Sequence, residues 1–248
     1  AGGEYNVAFG NYALDALTSA DGNTAIGYEA GSAIATGGRH TAVGYQALET
    51  MSGGTVGNVA IGWKALTAAT GEYNTAVGDQ AGLIVSSGVR NMAIGAGALV
   101  NADTENDNMA FGADSMAGAI NGGEFNIAIG RQTLDALTSA DYNVAVGYQA
   151  GSAVTTGLKT TLVGYGAGKV QTTAQNTTLV GYNAGVANTA HECTAFGSEA
   201  ALANTSGSGI LAIGREAYKT GDGEGHNVAI GLQTMSVGIN GGEYNTAV

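Results

Sequence analysis

Two runs of aromatic residues are the groups in this sequence best placed to do chemistry. Tyr28, Tyr45 and Trp63 each follow a glycine, and so do Tyr148, Tyr165 and Tyr182. Within each run the rings recur at a nearly constant interval. If the chain repeats in space with that period, each run becomes a ladder. Flat aromatic faces suit sugar rings, so a ladder is a candidate carbohydrate platform. The same ladder can equally be a spine that stabilises neighbouring layers.

Other candidate chemistry is sparse. Asp103, Glu105 and Asp107 alternate along one loop, and Asp222 and Glu224 repeat the first two further on. Calcium prefers clustered oxygen ligands. The twelve-residue calcium loop and the Gly-Gly-x-Gly-x-Asp repeat are both missing, so these read as solvated loops. His40, His191 and His226 stand in separate units with no metal-ligand spacing. Cys193 has His191 two residues before it and reads as a buried free thiol. It is the single cysteine, so no intrachain disulfide is possible. Polysaccharide cleavage would need paired carboxylates in a groove. Asp15 and Asp21, repeated as Asp135 and Asp141, are the available candidates and look like connector residues. With no nucleophile elbow, phosphate loop or Cys-x-x-Cys, the sequence predicts no catalytic residue, no metal and no cofactor.

What positions these residues is a repeat. A core of Asn-x-Ala-Φ-Gly, with Φ aliphatic or Phe, recurs along the whole chain, as in Asn6 to Gly10, Asn23 to Gly27 and Asn58 to Gly62. Its glycines fall at Gly10, Gly27, Gly44, Gly62, Gly78 and Gly95, and onward with the same near-constant spacing to Gly231. A fifteenth copy at Asn245 to Val248 ends before its glycine. A second motif, a small residue followed by Leu, Gly or Met, comes two residues after the glycine, as in Ala13-Leu14 and Ala30-Gly31. A longer period is superimposed. Gly2 to Asn6 returns at Gly122 to Asn126 and Gly241 to Asn245, and Leu14 to Asp21 recurs unchanged at Leu134 to Asp141. One repeat array, 1–248, therefore holds seven-unit blocks at about 1–120 and 121–239 and the start of a third at 240–248.

A unit of this length holds short strands and turns, whereas a strand, a full helix and two connectors need more. The sequence predicts an all-β parallel β-roll or solenoid of about 15 coils with two short strands in each. Coils stacked at about 4.8 Å would give a rod of about 70 Å. Short helices over Tyr12 to Ala20 and Trp63 to Ala69 are the rival reading, and helices this short are marginal unless packed. Alternation along the strand puts x and Φ on one face and Ala on the other. Φ is expected to point into the core: Phe9, Ile26, Val43, Ile61, Val77, Ile94, Phe111, Ile129, Val146, Val163, Val180, Phe196, Ile213 and Ile230. The Ala face would then meet another backbone, and burying it against two sister chains would complete a thin roll. The recurrent Asn, including Asn6, Asn23, Asn58, Asn74, Asn91, Asn108, Asn126, Asn143 and Asn227, is expected to form a hydrogen-bonded ladder or to hold a turn.

Composition bounds the partners. The chain has 43 Gly, no Pro and a formal charge of −12. An acidic surface argues against nucleic acid, which needs a basic footprint, and against anionic membranes. No apolar run approaches the roughly 20 residues of a membrane span, and the first residues are already inside the repeat. Thr24, Thr41 and Thr75 face the same way and could order water on an ice-binding face. Val59, Met92, Met109 and Ile127 interrupt that row.

The Asn-Val-Ala-Ile-Gly runs at Asn58 to Gly62 and Asn227 to Gly231 resemble the head repeats of trimeric autotransporter adhesins, which also occur in bacteriophage tail fibres. The resemblance covers essentially the whole chain, although this unit is longer, with the extra residues in its connectors. It implies a left-handed parallel β-roll, a homotrimer around one axis or an end-to-end filament, and an extracellular place on a virion fibre or cell surface. The implied function is a structural and adhesive fibre segment whose receptor is a cell-surface glycan or protein. A sugar-binding or ice-binding solenoid is the alternative.

Overall fold

The computed structural model describes residues 2–221, 223–237 and 242–248. Asp222 and Gly241, which the sequence singled out, lie outside them. The chain forms two compact units, Ala1–Phe125 and Asn126–Val248. Among the described residues every regular element is a strand. Among the described residues no helix is long and apolar enough to cross a membrane.

In the first unit the strands are β1 (Val7–Phe9), β2 (Thr24–Ile26), β3 (Thr41–Val43), β4 (Val59–Ile61), β5 (Thr75–Val77), β6 (Met92–Ile94) and β7 (Met109–Phe111). Each pairs with the next, parallel and in register, so Ala25, Ala42, Ala60 and Ala76 stand in one column. The second unit repeats this with β8 (Ile127–Ile129), β9 (Val144–Val146), β10 (Thr161–Val163), β11 (Thr178–Val180), β12 (Thr194–Phe196), β13 (Leu211–Ile213), β14 (Val228–Ile230) and β15 (Thr246–Ala247). Its consecutive strands are likewise parallel and in register. Both units are parallel β-solenoids.

Each coil carries one named strand, where the sequence predicted two. The second apolar motif is a run of turns. Its Leu or Met has a left-handed backbone, with φ of 53° at Leu14, 51° at Leu48 and 48° at Met116. No strand accepts that conformation, and glycine is the natural alternative, which explains Gly31 and Gly82 at the same place. The turns close on the bonds from Ala13 N–H to Gly10 O at 3.3 Å and from Leu17 N–H to Leu14 O at 3.1 Å. Among the described residues outside the strands, pairing between coils is limited to isolated bridges such as Asp21–Gly38 and Gly38–Val56. Inter-coil hydrogen bonds still continue through the turns, from Leu14 N–H to Ala30 O at 3.1 Å and from Ala16 N–H to Ser32 O at 2.9 Å. A left-handed residue costs about 1–2 kcal/mol. Bonds of this kind, repeated along the stack, hold it in place.

The alternation of faces is as expected, but inside and outside are reversed. The strand Ala is buried in the column from Ala25 to Ala110. The Φ residues lie on the outer surface. Phe9, Ile26, Ile61, Phe111, Ile129, Phe196 and Ile213 are exposed. Val43, Val77, Ile94, Val146, Val163, Val180 and Ile230 are half-buried. The reason is space: a coil this thin fills its interior from the opposite wall with Leu14, Leu48, Leu66 and Leu99. The strand can then add only a methyl group. Leu162 and Leu179 are the exceptions, and nearby glycines leave room for them. A Cβ at Gly151 would lie 2.6 Å from Leu162 Cδ1, and one at Gly185 would lie 2.7 Å from Leu179 Cδ1.

The core glycine is fixed by a neighbouring backbone. Gly95 has φ +132°, and a Cβ there would sit 2.6 Å from the carbonyl carbon and oxygen of Gly112 in the next coil.

Candidate functional site

The aromatic runs do form two ladders. In the first unit Tyr28 and Tyr45 stack with centroids 5.3 Å apart and planes 11° from parallel, and Tyr45 and Trp63 follow at 6.2 Å and 13°. Tyr12 closes one end edge-on at 5.9 Å, and Lys64 Nζ lies 4.8 Å from the Trp63 ring centre. In the second unit Tyr148, Tyr165 and Tyr182 stack at 5.4 and 5.3 Å. Rings this close overlap face to face, since coplanar rings side by side need more room. Their faces therefore point mainly along the stack at one another, and their edges point outward. That geometry suits a spine better than a platform of open faces. Glu29, by hydrogen bond and charge, raises the Tyr28 hydroxyl above its ordinary pKa.

The recurrent Asn is buried in both units and does two jobs. Its Oδ1 accepts the backbone N–H of the equivalent residue one coil on: Asn58 from Asn74 at 2.7 Å, Asn74 from Asn91 at 2.9 Å, Asn91 from Asn108 at 3.0 Å. Its Nδ2 donates to one carbonyl of its own connector: Asn58 to Gly71, Asn74 to Gly88, Asn91 to Glu105 and Asn108 to Gly123, at 2.7–2.8 Å. Both expected roles, ladder and turn-holder, belong to the same side chain.

His40 substitutes for Asn by chemical mimicry. Its Nδ1 takes the Asn58 N–H at 3.2 Å, and its Nε2 lies 3.0 Å from Thr55 O. This pairing uses the neutral ring with the proton on Nε2, and burial lowers the His40 pKa accordingly.

Four coils of the second unit lack the Asn, and there the connector carbonyl is capped from elsewhere. Thr160, Thr177, Cys193 and Ile210 occupy the Asn position. Gln171 Nε2 reaches Ala174 O at 3.2 Å, and Asn188 Nδ2 reaches Ala190 O at 3.0 Å. Asn204 Nδ2 reaches Gly207 O at 2.8 Å, and the Tyr218 hydroxyl donates to Glu224 O at 2.7 Å. Sequence reading missed these four donors. The available signal was that Gln171, Asn188 and Asn204 fall, in their own coils, where Ile34, Met51, Ala69 and Val85 stand elsewhere.

The remaining candidates are dispersed. Glu105 is buried and accepts from the Gly122 and Thr104 N–H groups at 2.8 and 3.0 Å. Asp107 is held by Arg90 through two 2.7 Å bonds, and Asp103 accepts from Ser86. Each carboxylate thus has its own protein partner, and among the described residues no three His, Cys, Asp or Glu side chains cluster as a metal site. His191 accepts the Gln175 N–H at 3.1 Å, and His226 stacks on Tyr244. Cys193 is buried beside Asn204, and desolvation pushes its thiol pKa up to about 12. Asp15 is exposed, and Asp21 accepts the Glu4 N–H at 2.6 Å. Comparison with models of known protein families finds no match, and no curated protein proves similar to the chain.

Proposed function

We propose that the chain is a non-catalytic, structural and adhesive fibre segment that assembles as a homotrimer through the outer faces of its strands. One observation carries this reading. Each unit turns an in-register stripe of large apolar side chains outward: Val59 and Ile61, Met92 and Ile94, then Met109 and Phe111 in the first, with Ile127 and Ile129, Leu211 and Ile213 in the second. Soluble monomers rarely expose contiguous apolar patches beyond a few hundred Å². A stripe along the stacking direction is covered by a like stripe alongside it, and closed symmetry removes it from water. The resemblance to trimeric adhesin and tail-fibre repeats supplies the number three and an extracellular setting.

The expectation of an Ala-lined interface falls, because that face is interior. The larger Φ face takes its place and offers more apolar area per coil. The stacked aromatics support rigidity, and a cell-surface glycan or protein remains the proposed receptor class.

Mass in solution tests the assembly. Light scattering is expected to give three times the 24.4 kDa chain, and Ile61→Asp with Ile94→Asp is expected to release monomers. A monomeric mass for the unaltered chain overturns the reading. Flow cytometry with the labelled trimer tests adhesion, and absence of binding to any cell panel removes the adhesive part.

A further inference from the structure

The residue just before the Asn forms a surface column, one rung per coil, with a left-handed backbone throughout. In the first unit the rungs are Tyr5, Gly22, Arg39, Gly57, Tyr73, Arg90, Asp107 and Phe125. Two pairs of adjacent rungs satisfy each other. Arg90 and Asp107 form the paired bonds described above, and in the second unit His226 and Tyr244 stack at 4.9 Å and 11°. Where a rung is glycine, a neighbouring ring covers it. A Cβ on Gly57 would meet the Tyr73 ring at 2.9 Å, and one on Gly209 would meet the His226 ring at 3.1 Å.

Gly22 is the exception. The nearest side-chain atom to its Cβ position is Arg39 Cγ at 3.9 Å. Arg39 has no carboxylate partner among the described residues, because the next rung is Gly57. The missing rung opens a groove of about 310 Å³ lined by Tyr5, Asp21, Gly22, Gly37, Gly38, Arg39 and Val56. Its floor is the pair of bridges that join Asp21, Gly38 and Val56.

We propose that this groove binds one neutral, planar aromatic ring, held as the missing rung between the Tyr5 ring and the Arg39 guanidinium. Coil spacing of about 4.8 Å sets each neighbour at stacking distance from a ring placed there. The His226–Tyr244 stack shows that this column accepts such spacing. An unpaired guanidinium is attracted to a π-face. A pyranose has no π-face to offer it. Asp21 lines the groove and offsets the attraction of Arg39 for a carboxylate. The ring can belong to a free small molecule or to an aromatic side chain of a peptide. This inference stands apart from the trimer, since it uses a different face of the coil.

Titration of the ¹⁵N-labelled full chain with indole tests it. Saturable shifts are expected at the Gly22, Gly37 and Gly38 amides. Gly22→Tyr places the protein's own ring in the slot and is expected to abolish them. That substitution suits the backbone, because Tyr5, Tyr73 and Tyr142 hold the same position with φ of 58–59°. Tyr5→Ala, an exposed change, is expected to weaken binding about tenfold. N-acetyltryptophanamide binding as well as indole points to a peptide side chain, and preference for indole points to a free ring. Shifts that persist in Gly22→Tyr, equal shifts from methyl glucoside, or none up to the solubility limit of indole each overturn the proposal.

Discussion

The two units meet the same internal demand in different ways. In the first, a buried column of Asn, with His40 as one member, caps the connector carbonyls at Thr55, Gly71, Gly88, Glu105 and Gly123. The second starts alike, with Asn126 on Ala140 and Asn143 on Gly157. It then changes donor for four coils and returns to Asn227 on Gly242. The carbonyl that must be capped keeps its place, while the group that caps it moves across the interior. An unpaired buried carbonyl costs about 1–3 kcal/mol. In the coils compared, what recurs is therefore a donor inside the coil, and the residue number that supplies it is free. The exchange also keeps polar and apolar volume in balance: the coil with Asn74 carries Val85, whereas the coils with Thr177 and Cys193 carry Asn188 and Asn204.

The comparison can be broken most severely in the second unit. Asn204 donates to Asn188 and Gly207 and accepts the Gly207 N–H, all at 2.8–3.0 Å. Asn204→Leu is expected to cost about 3 kcal/mol or more, since several buried groups lose partners together. Chemical denaturation measures it. Cys193 gives a second readout: its buried, protonated thiol should resist alkylation in the native chain and react as the second unit opens.

Transplanting the exchange sharpens the comparison. Asn74→Thr alone leaves Gly88 O uncapped and is expected to cost about 2 kcal/mol. Adding Val85→Asn copies the Thr177 and Asn188 arrangement and is expected to restore most of that loss. A double variant no more stable than the single one would show that the two units are not interchangeable.

A smaller effect separates His40 from its Asn neighbours. Its folded pKa lies below the ordinary value near 6.5. The unfolded chain therefore takes up the proton first as pH falls. Stability is full above about pH 6.5 and declines as pH drops toward the lowered folded value. A protonated ring would also aim Nδ1–H at the Asn58 N–H. His40→Asn is expected to remove this component of the melting-temperature profile.

The smallest effect belongs to the surface column. Arg90→Gln breaks the exposed pair with Asp107 and is expected to cost under about 1 kcal/mol, less at high salt. The same change at Arg39 should leave stability unaltered.

Much of the architecture could be read from residue spacing. The near-constant interval between core glycines such as Gly27, Gly44 and Gly62 predicted stacked coils, and the paired strands keep the predicted register. The aromatic ladders and the Asn column followed from the same spacing. Three features did not. The second motif was read as a strand because Ala-Leu is apolar, although Leu14 and Leu48 sit in left-handed turns. The donors Gln171, Asn188, Asn204 and Tyr218 were missed because they stand outside the repeated Asn position, and their targets lie only a turn further along the chain, at Ala174, Ala190, Gly207 and Glu224. Facing was inverted because hydrophobicity ranks Ile above Ala, whereas a narrow interior selects by size.

By itself, then, the sequence determined the period, the strand, its register and which side chains share a column, since all of these follow from covalent spacing and alternation. Tertiary structure alone decided which column is inside and which group caps each buried carbonyl. Both depend on the width of the closed coil, a quantity that exists only once the opposite wall has folded over to fill it.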